Sequence, residues 1–382
     1  MEQQINGTLC AYHDPYTLTR FLLILGASAI ACVGVLTNSM LLWLFIQISK
    51  SRDHWSSKQL YLLMLSFCDA CFCLTFFVVF GLDAVALYLH LTSVFSIYFA
   101  LLRFMFTLSR LVQSAIPYFI IAATVERWLL SSESRNGFVC SLRARFSITC
   151  LICLLALIMR LPSGWAYYVK SFPHCKDYFG TLQLYPTELA SNPVYHFMNF
   201  YVINIICVFV PFALLLPLNI LIVRNVRSKR LLTSHQPAGK ECPFNSRAES
   251  ETRVRRLIRS QTITIVALVS SYLLCNTPHF VLTILEQANS SILQDEEQQS
   301  TELYMVWSDL VSALFMISSF SRFFIFYWCN ETVRCELERT LTCGLPGQQY
   351  QGLSTPEAAR RIGNYNEANS PILMRSVAEQ FV

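Results

Sequence analysis

Seven long apolar stretches, joined by more polar segments, are the dominant pattern of hydrophobic and polar positions along the chain. A helix needs about 20 apolar residues to cross the hydrocarbon core of a membrane. The stretches are continuously apolar rather than alternating, which favours membrane-spanning helices over the strands of a membrane barrel. The pattern predicts seven transmembrane helices: Phe21–Ile48, Gln59–Leu89, Ile97–Leu130, Phe146–Val169, Phe197–Val223, Gln261–Leu285 and Leu303–Trp328.

The composition agrees with a chain whose main solvent is lipid. Hydrophobic residues make up 54% of the sequence and charged residues 14%, whereas soluble domains carry about 25% charged residues. We therefore predict an all-α integral membrane protein in which residues 21–329 form a seven-transmembrane helix bundle. The sequence shows no metal-ligand pattern, nucleophile motif or phosphate-binding glycine loop, so we expect neither an enzyme nor a cofactor, and no nucleic-acid partner.

The distribution of Lys and Arg predicts which side of the membrane each loop faces. One set of loops is rich in basic residues, above all between Arg224 and Arg259. The loop between the sixth and seventh spans, which belongs to the opposite set, is acidic and holds no Lys or Arg. We expect residues 1–20 outside the cell and residues 344–382, a polar tail of disordered composition, in the cytoplasm. The predicted location is the plasma membrane.

Two glycosylation sequons fit this orientation. They begin at Asn6 and Asn289, both in segments predicted to be extracellular, as acceptor sites must be. A third sequon, at Asn330, falls on the predicted cytoplasmic side and is expected to be a chance match.

The segment after the seventh span, residues 330–343, is predicted to be a short amphipathic helix on the inner leaflet. Its apolar residues are spaced by four positions, at Val333, Leu337 and Leu341, which places them on one helical face. The candidate palmitoylation sites on or beside it are Cys335 and Cys343.

Polar residues and prolines recur at particular places inside the apolar spans, where a polar group is costly unless it is paired or functional. The set comprises Gly34 and Asn38, Asp69, Glu126-Arg127-Trp128, Pro211, Pro278, and the seventh-span ending SSFSRFFIFYWCNETVRCELER. In this order and spacing the chain resembles the rhodopsin-like (class A) G-protein-coupled receptors over roughly residues 20–343. The resemblance implies a receptor that activates a heterotrimeric G protein, with a receptor kinase and arrestin as further possible partners.

The resemblance assigns a signalling switch to the end of the third span. Arg127 would pair with Glu126 at rest and meet the G protein after activation; the alternative is an arginine that snorkels at the membrane interface. Pro211 and Pro278 would kink the fifth and sixth helices, so that their inner ends can move outward.

Arg322 is a departure from the family pattern, which usually reads Asn-Pro-x-x-Tyr at the end of the seventh span. The resemblance places Arg322 against Asp69 and Asn38 in the bundle centre, where most relatives bind a sodium ion. We predict a charge-assisted ion pair and no sodium site. The alternative is that Arg322 points toward the cytoplasm.

The family's extracellular disulfide is also altered. Leu102 stands where relatives keep the third-span cysteine, so Cys175 lacks its usual partner. Cys10 is the other cysteine in a predicted extracellular segment, and a Cys10–Cys175 bridge is the hypothesis. A free thiol at Cys175 remains the alternative.

The ligand is expected in the outer half of the bundle. Ser109 occupies the position of the acidic residue of amine receptors, and no lysine matches the retinal-linking residue of opsins. An extracellular peptide suits the mixed charges, and the chain is similar to invertebrate FMRFamide-type receptors in its ERW motif and its missing sixth-span Trp. In that case Glu286 or Asp309 would receive a peptide arginine. The candidate pocket residues are Arg110, Gln113, Asn276, His279, Glu286 and Asp309.

The sequence is also compatible with two other functions. One is a chemosensory receptor of the same fold with a small-molecule ligand. The other is a seven-span transporter or channel, although the chain lacks the internal symmetry and paired broken helices that transporters favour.

Overall fold

The computed structural model of the protein describes residues 2–5, 8–11, 13, 16–50, 59–131, 141–234, 246–288 and 302–342. Within these residues seven helices are long and apolar enough to cross a membrane, which confirms the predicted all-α seven-helix fold. An eighth, shorter helix follows the seventh span, as predicted. The helices are α1, Leu18–Lys50; α2, Leu60–Tyr88; α3, Thr92–Ser131; α4, Leu142–Arg160; α5, residues 193–234; α6, Ser246–Gln287; α7, Glu302–Cys329; and α8, Glu331–Thr342.

The helices pack as a bundle with α3 near its centre. Helix α1 contacts α2 and α7, α2 contacts α3, and α6 contacts α7, while α3 also contacts α4, α5 and α6. Large apolar side chains such as Leu41 and Phe119 are fully buried between helices, yet Leu36 and Leu274 are 70% and 76% exposed on the outside. An exterior as apolar as the interior suits a lipid environment and not water. The bundle lies in the first of two compact units, Met1–Glu336 and Leu337–Val382.

Helix α5 is locally widened beside its first internal proline. A π-helical turn, Ile205–Phe209, lies directly before Pro211, which has no backbone N–H to donate to the preceding turn. Such turns accommodate a break in the regular hydrogen-bond ladder. The carbonyl oxygen of Ile206 in this turn accepts a hydrogen bond from the Tyr118 hydroxyl of α3 at 2.7 Å, which ties the two helices together.

The fourth span ends earlier than the hydrophobic pattern predicts. Helix α4 stops at Arg160, and a 3₁₀ turn containing Pro162 follows it. Residues Tyr167–Ser171 then form strand β3, which pairs in antiparallel fashion with β4, Leu182–Pro186. The predicted boundary at Val169 overran the helix because a short aromatic and apolar strand cannot be told from the end of a helix by its periodicity.

The N-terminal segment is fixed to the β3–β4 hairpin by a disulfide between Cys10 and Cys175. Within this segment strand β1, Glu2–Ile5, and strand β2, Thr8–Ala11, form a second hairpin. His13 Nε2 donates a hydrogen bond to the carbonyl oxygen of Leu182 at 3.0 Å. We call this end of the bundle the disulfide end, and the end of α3 that carries Arg127 the Arg127 end.

Candidate functional site

A polar cavity lies among five helices in the half of the bundle nearer the disulfide end, within about 430 Å³ of space that is partly open to solvent. Four of the six predicted pocket residues line it: Arg110, Gln113, Asn276 and His279. The remaining lining residues are Ser114 of α3, Arg160 of α4, Asn204, Cys207, Val208 and Phe212 of α5, Tyr272 of α6 and Phe315 of α7. The cavity therefore combines polar groups from several helices with an apolar floor, as ligand sites usually do.

Two arginines enter this cavity and are connected through one serine. Arg160 Nε donates a hydrogen bond to Ser114 Oγ at 2.7 Å, and that hydroxyl donates to the carbonyl oxygen of Arg110 at 2.8 Å. The Arg110 guanidinium also lies over the ring of Phe106, 5.1 Å from its centre. Among the described residues, neither guanidinium forms an ion pair with a carboxylate.

The other two predicted pocket residues, Glu286 and Asp309, do not line the cavity. Glu286 accepts a hydrogen bond from the Tyr304 hydroxyl at 2.9 Å, and Asp309 forms an ion pair with Arg20 Nε at 2.7 Å. The sequence pattern did not reveal these partners, because Arg20 lies just before the first predicted span and Tyr304 at the start of the seventh.

A third acidic group at the disulfide end, Asp83, is bound by a tyrosine. The hydroxyl of Tyr16 donates to Asp83 Oδ2 at 2.6 Å. Burial, and then the charge of Asp83, raise the pKa of Tyr16 far above its usual value. The phenol therefore keeps its proton and remains a donor to the carboxylate at neutral pH.

The bundle centre holds the ion pair between Asp69 of α2 and Arg322 of α7, in which each side chain is 1% exposed. Asp69 Oδ2 and the Nε and Nη2 atoms of Arg322 have no hydrogen-bond partner within the described part of the chain. Asn38 lies at the α1–α7 contact, and its amide donates to the carbonyl oxygens of Gly34 at 2.9 Å and Ser319 at 3.2 Å.

The Arg322 guanidinium occupies the place beside Asp69 that a cation would need. It supplies the positive charge itself, so the residues present do not form a vacant carboxylate site. Across the described residues, no group of three or more His, Cys, Asp or Glu side chains is arranged to hold a metal ion.

Helix α6 lacks part of its regular backbone hydrogen bonding near the cavity. Pro278 lies inside it and has no backbone N–H to donate, and the indole of Trp307 in α7 donates to the Pro278 carbonyl oxygen at 3.3 Å. Two residues before Pro278, Asn276 is 2% exposed and its amide donates to the Tyr272 carbonyl oxygen at 2.8 Å. The side-chain oxygen of Asn276 has no partner in the described residues.

At the Arg127 end, the predicted switch residues lie beside a second, smaller cavity. Glu126 forms a buried ion pair with Arg145 of α4, a partner that the sequence motif did not reveal. Arg127 lines this cavity together with Gln59, Leu62, Gln261, Thr264, Ile265 and Asn330. Arg127 thus faces residues from α2, α6 and the start of α8.

Asn330 has a structural role at the junction of α7 and α8. Its side-chain oxygen accepts the backbone N–H groups of Thr332 and Val333 at 3.1 and 3.3 Å, as a helix N-cap does. Ser260 of α6 adds a second link, since its hydroxyl donates to the Cys329 carbonyl oxygen at 2.6 Å and accepts from the Glu331 backbone N–H.

The remaining predicted sites are divided between described and undescribed residues. Cys10 and Cys175 are joined, with 5.6 Å between their Cα atoms. Leu102, at the position of the family's usual cysteine, is buried among Phe95, Tyr98 and Phe99. Cys335 is exposed on α8 with a free thiol. The predicted glycosylation sites Asn6 and Asn289 and the palmitoylation candidate Cys343 lie outside the described residues.

The family described as 7 transmembrane receptor (rhodopsin family) matches residues 37–321, which is three quarters of the chain. The matched segment contains every residue that lines the two cavities except Asn330. No curated protein matches this chain.

Proposed function

The chain belongs to the rhodopsin family of seven-transmembrane receptors, and from that premise we propose that it converts the binding of an extracellular ligand into activation of a heterotrimeric G protein. The observation that carries the proposal is that α3 connects two polar cavities. Arg110 lines one and Arg127 lines the other, 17 residues or ~26 Å apart along the helix. One rigid element therefore reaches both the ligand cavity and the switch.

The proposal includes an orientation and a location. The disulfide end faces the outside of the plasma membrane and the Arg127 end faces the cytoplasm, as the excess of basic residues in one set of loops supports. The G protein binds at the Arg127 end. A receptor kinase and arrestin are further proposed partners, acting on the tail after α8.

The proposed ligand is a peptide. The disulfide end presents three acidic side chains, each bound by a partner: Asp309 by Arg20, Glu286 by Tyr304 and Asp83 by Tyr16. A ligand that contacts this wide polar rim and also enters the cavity must be extended, which suits a peptide better than a small metabolite. For a peptide of the FMRFamide type, an arginine would have to displace Tyr304 or Arg20 to reach Glu286 or Asp309.

The position and lining of the cavity favour a second candidate, a chemosensory receptor for a small molecule. The cavity lies among the helices and is lined by a few polar groups beside aromatic side chains, which is typical of small-ligand sites. A small ligand would contact the cavity and leave the rim pairs untouched. Substitution of rim residues therefore distinguishes the two ligands, since only a peptide receptor loses ligand potency in Asp309→Asn.

A screen of peptide pools and small-molecule pools for ligand-dependent G-protein activation tests the proposal. Arg127→Ala is expected to abolish activation while surface expression and ligand binding persist. Arg143→Ala is the matched control, because Arg143 is an exposed arginine near the start of α4 and lines neither cavity. Ligand-independent ion flux in expressing oocytes, with no G-protein response to any pool, would contradict the proposal and favour a channel.

A further inference from the structure

The ligand cavity carries two formal positive charges and no carboxylate. Besides Arg110 and Arg160, its polar lining groups are neutral amides and hydroxyls and the imidazole of His279. Arg160 is buried, and a charge removed from bulk water is unfavourable unless an opposite charge or strong hydrogen bonds compensate it. Within the described residues neither arginine has a carboxylate partner. The cavity is therefore electrostatically complementary to an anion.

Ser114 connects the side chain of Arg160 to the backbone of Arg110 in the cavity wall. This serine accepts a hydrogen bond from Arg160 Nε and donates to the carbonyl oxygen of Arg110. Because Nε of Arg160 is engaged by the serine, its terminal nitrogens form the remaining donor face. Arg110 makes no side-chain hydrogen bond within the described residues and rests on the Phe106 ring, so its donors are available to a ligand.

The nearest acidic side chains are engaged elsewhere. Glu286 lies seven residues after His279 on α6, or ~10 Å along the helix, and accepts a hydrogen bond from Tyr304. Asp309 is paired with Arg20. None of the described carboxylates forms an ion pair with either arginine of the cavity, which leaves that place to an anionic group of a ligand.

We propose that the cavity binds a carboxylate group of the ligand between Arg110 and Arg160. This inference rests on the proposed function, since it specifies the chemistry of that receptor's ligand. The planar guanidinium matches a carboxylate through two parallel hydrogen bonds. The unpartnered side-chain oxygen of Asn276, which also lines the cavity, accepts an N–H donor next to the carboxylate. A peptide with a free C-terminus carries a carboxylate and an adjacent amide N–H, whereas a C-terminally amidated peptide of the FMRFamide type lacks that carboxylate.

Thermal stabilisation of the purified full-length receptor tests the inference without a known agonist. The probes are a panel of N-acetyl amino acids with different side chains, each supplied as the free acid and as the C-terminal amide at equal ionic strength. Binding to the folded state raises the unfolding temperature. Free acids are expected to raise it, and the matched amides are not. Equal shifts from acids and amides, or no shift from any acid, would overturn the inference.

Substitutions test whether the rise in unfolding temperature comes from binding in the cavity. Arg110→Gln is expected to weaken the apparent affinity for the free acid by about 30-fold or more, as for a lost partner of a buried charge pair. Arg160→Gln is expected to do the same, but it also removes the bond to Ser114, so Arg110→Gln is the decisive variant. Arg143→Gln removes the same charge at an exposed position outside the cavity and should retain the full shift. An unchanged acid-specific shift in Arg110→Gln would overturn the inference.

Two further comparisons distinguish a carboxylate site from a site for other anions, and the carboxylate site from the proposed function. Stabilisation by phosphate or sulfate esters, and not by carboxylates, would overturn the carboxylate assignment. G-protein activation is scored independently: an acid-specific shift without any ligand-dependent activation supports the carboxylate site and contradicts the proposed function. Activation by ligands that lack an anionic group, with equal potency in Arg110→Gln, contradicts the carboxylate site and supports the proposed function.

Discussion

Arg322 of α7 and Asp69 of α2 form an ion pair that is almost completely buried in the centre of the bundle. Each charge is removed from water, so the pair is stable only while both partners are present. Neither helix can shift at this level without separating the two charges. The pair therefore acts as a cross-link between α2 and α7.

Removal of one partner of this pair should be more damaging than removal of both. Asp69→Asn or Arg322→Gln leaves one buried charge uncompensated and is expected to lower the free energy of unfolding by about 3–5 kcal/mol. The double variant Asp69→Asn/Arg322→Gln should lose clearly less than the sum of the two single variants. Thermal unfolding of the four purified proteins measures this coupling. Additive losses would show that the two side chains do not depend on each other.

The same pair predicts how the receptor responds to sodium. The guanidinium already neutralises Asp69, so a sodium ion gains little from binding there. Ligand binding is expected to be equal in sodium chloride and in the chloride salt of a large organic cation at the same ionic strength. Competition binding in membranes measures this. A selective loss of affinity in sodium chloride would contradict the prediction.

Much of the fold follows from the sequence, because lipid imposes one length and one polarity on every span. The fourth span is the informative exception, since the strand Tyr167–Ser171 is as aromatic and apolar as a helix end. The end of the helix there depends on the pairing of this strand with Leu182–Pro186, which is too distant along the chain for a local sequence pattern to include.

For the site, too, the sequence identifies candidate residues but not the side chains that they contact. A sequence motif indicates that Glu126 is important, but the motif cannot show that Arg145, 19 positions away on the next helix, is the side chain that reaches it. Glu286 and Asp309 were candidates for ligand contact because they are acidic and near helix ends. Their partners, Tyr304 and Arg20, became evident only from the packing of α1, α6 and α7. Periodicity places a residue on a helix, whereas its partner depends on which helices are neighbours.

The Glu126–Arg145 pair predicts a contrast between two neutralising substitutions. Glu126→Gln removes the carboxylate that we propose restrains Arg127, so ligand-independent G-protein activation should rise. Arg145→Gln removes the cation from α4 and keeps that carboxylate, so basal activation should stay at or below the unsubstituted level. Basal activation normalised to surface expression measures both. A similar rise in the two variants would show that the ion pair itself, and not the carboxylate, restrains the receptor.

The Cys10–Cys175 disulfide predicts equal effects from its two cysteines. Cys10→Ser, Cys175→Ser and the double variant break the same bond, so each should lower stability by a similar amount, about 2–5 kcal/mol for a typical native bridge. Unfolding temperatures and labelling of free thiols without reductant measure the result. Labelling of Cys175 in the unsubstituted receptor, or a larger loss in the double variant than in either single one, would contradict the pairing.

The contact between α1 and α2 at Gly34 gives the last prediction. A Cβ atom at Gly34 would lie 2.7 Å from the Sγ of Cys73, which is fully buried. Gly34→Ala is therefore expected to overpack the interface and cost about 1–3 kcal/mol. Gly26→Ala is the matched control on the same helix, because a Cβ there has no neighbour within 4 Å, and it should be neutral or stabilising by up to about 1 kcal/mol.

A second substitution tests the cause of the Gly34→Ala loss. Cys73→Ala removes the Sγ atom and leaves the Cys73 Cβ 3.4 Å from the added methyl group, which is an ordinary contact. Gly34→Ala/Cys73→Ala should therefore be more stable than Gly34→Ala, even though Cys73→Ala by itself leaves a small void. Thermal unfolding of the single and double variants decides the matter. If the two losses simply add, the close approach of α1 and α2 is not limited by this sulfur atom.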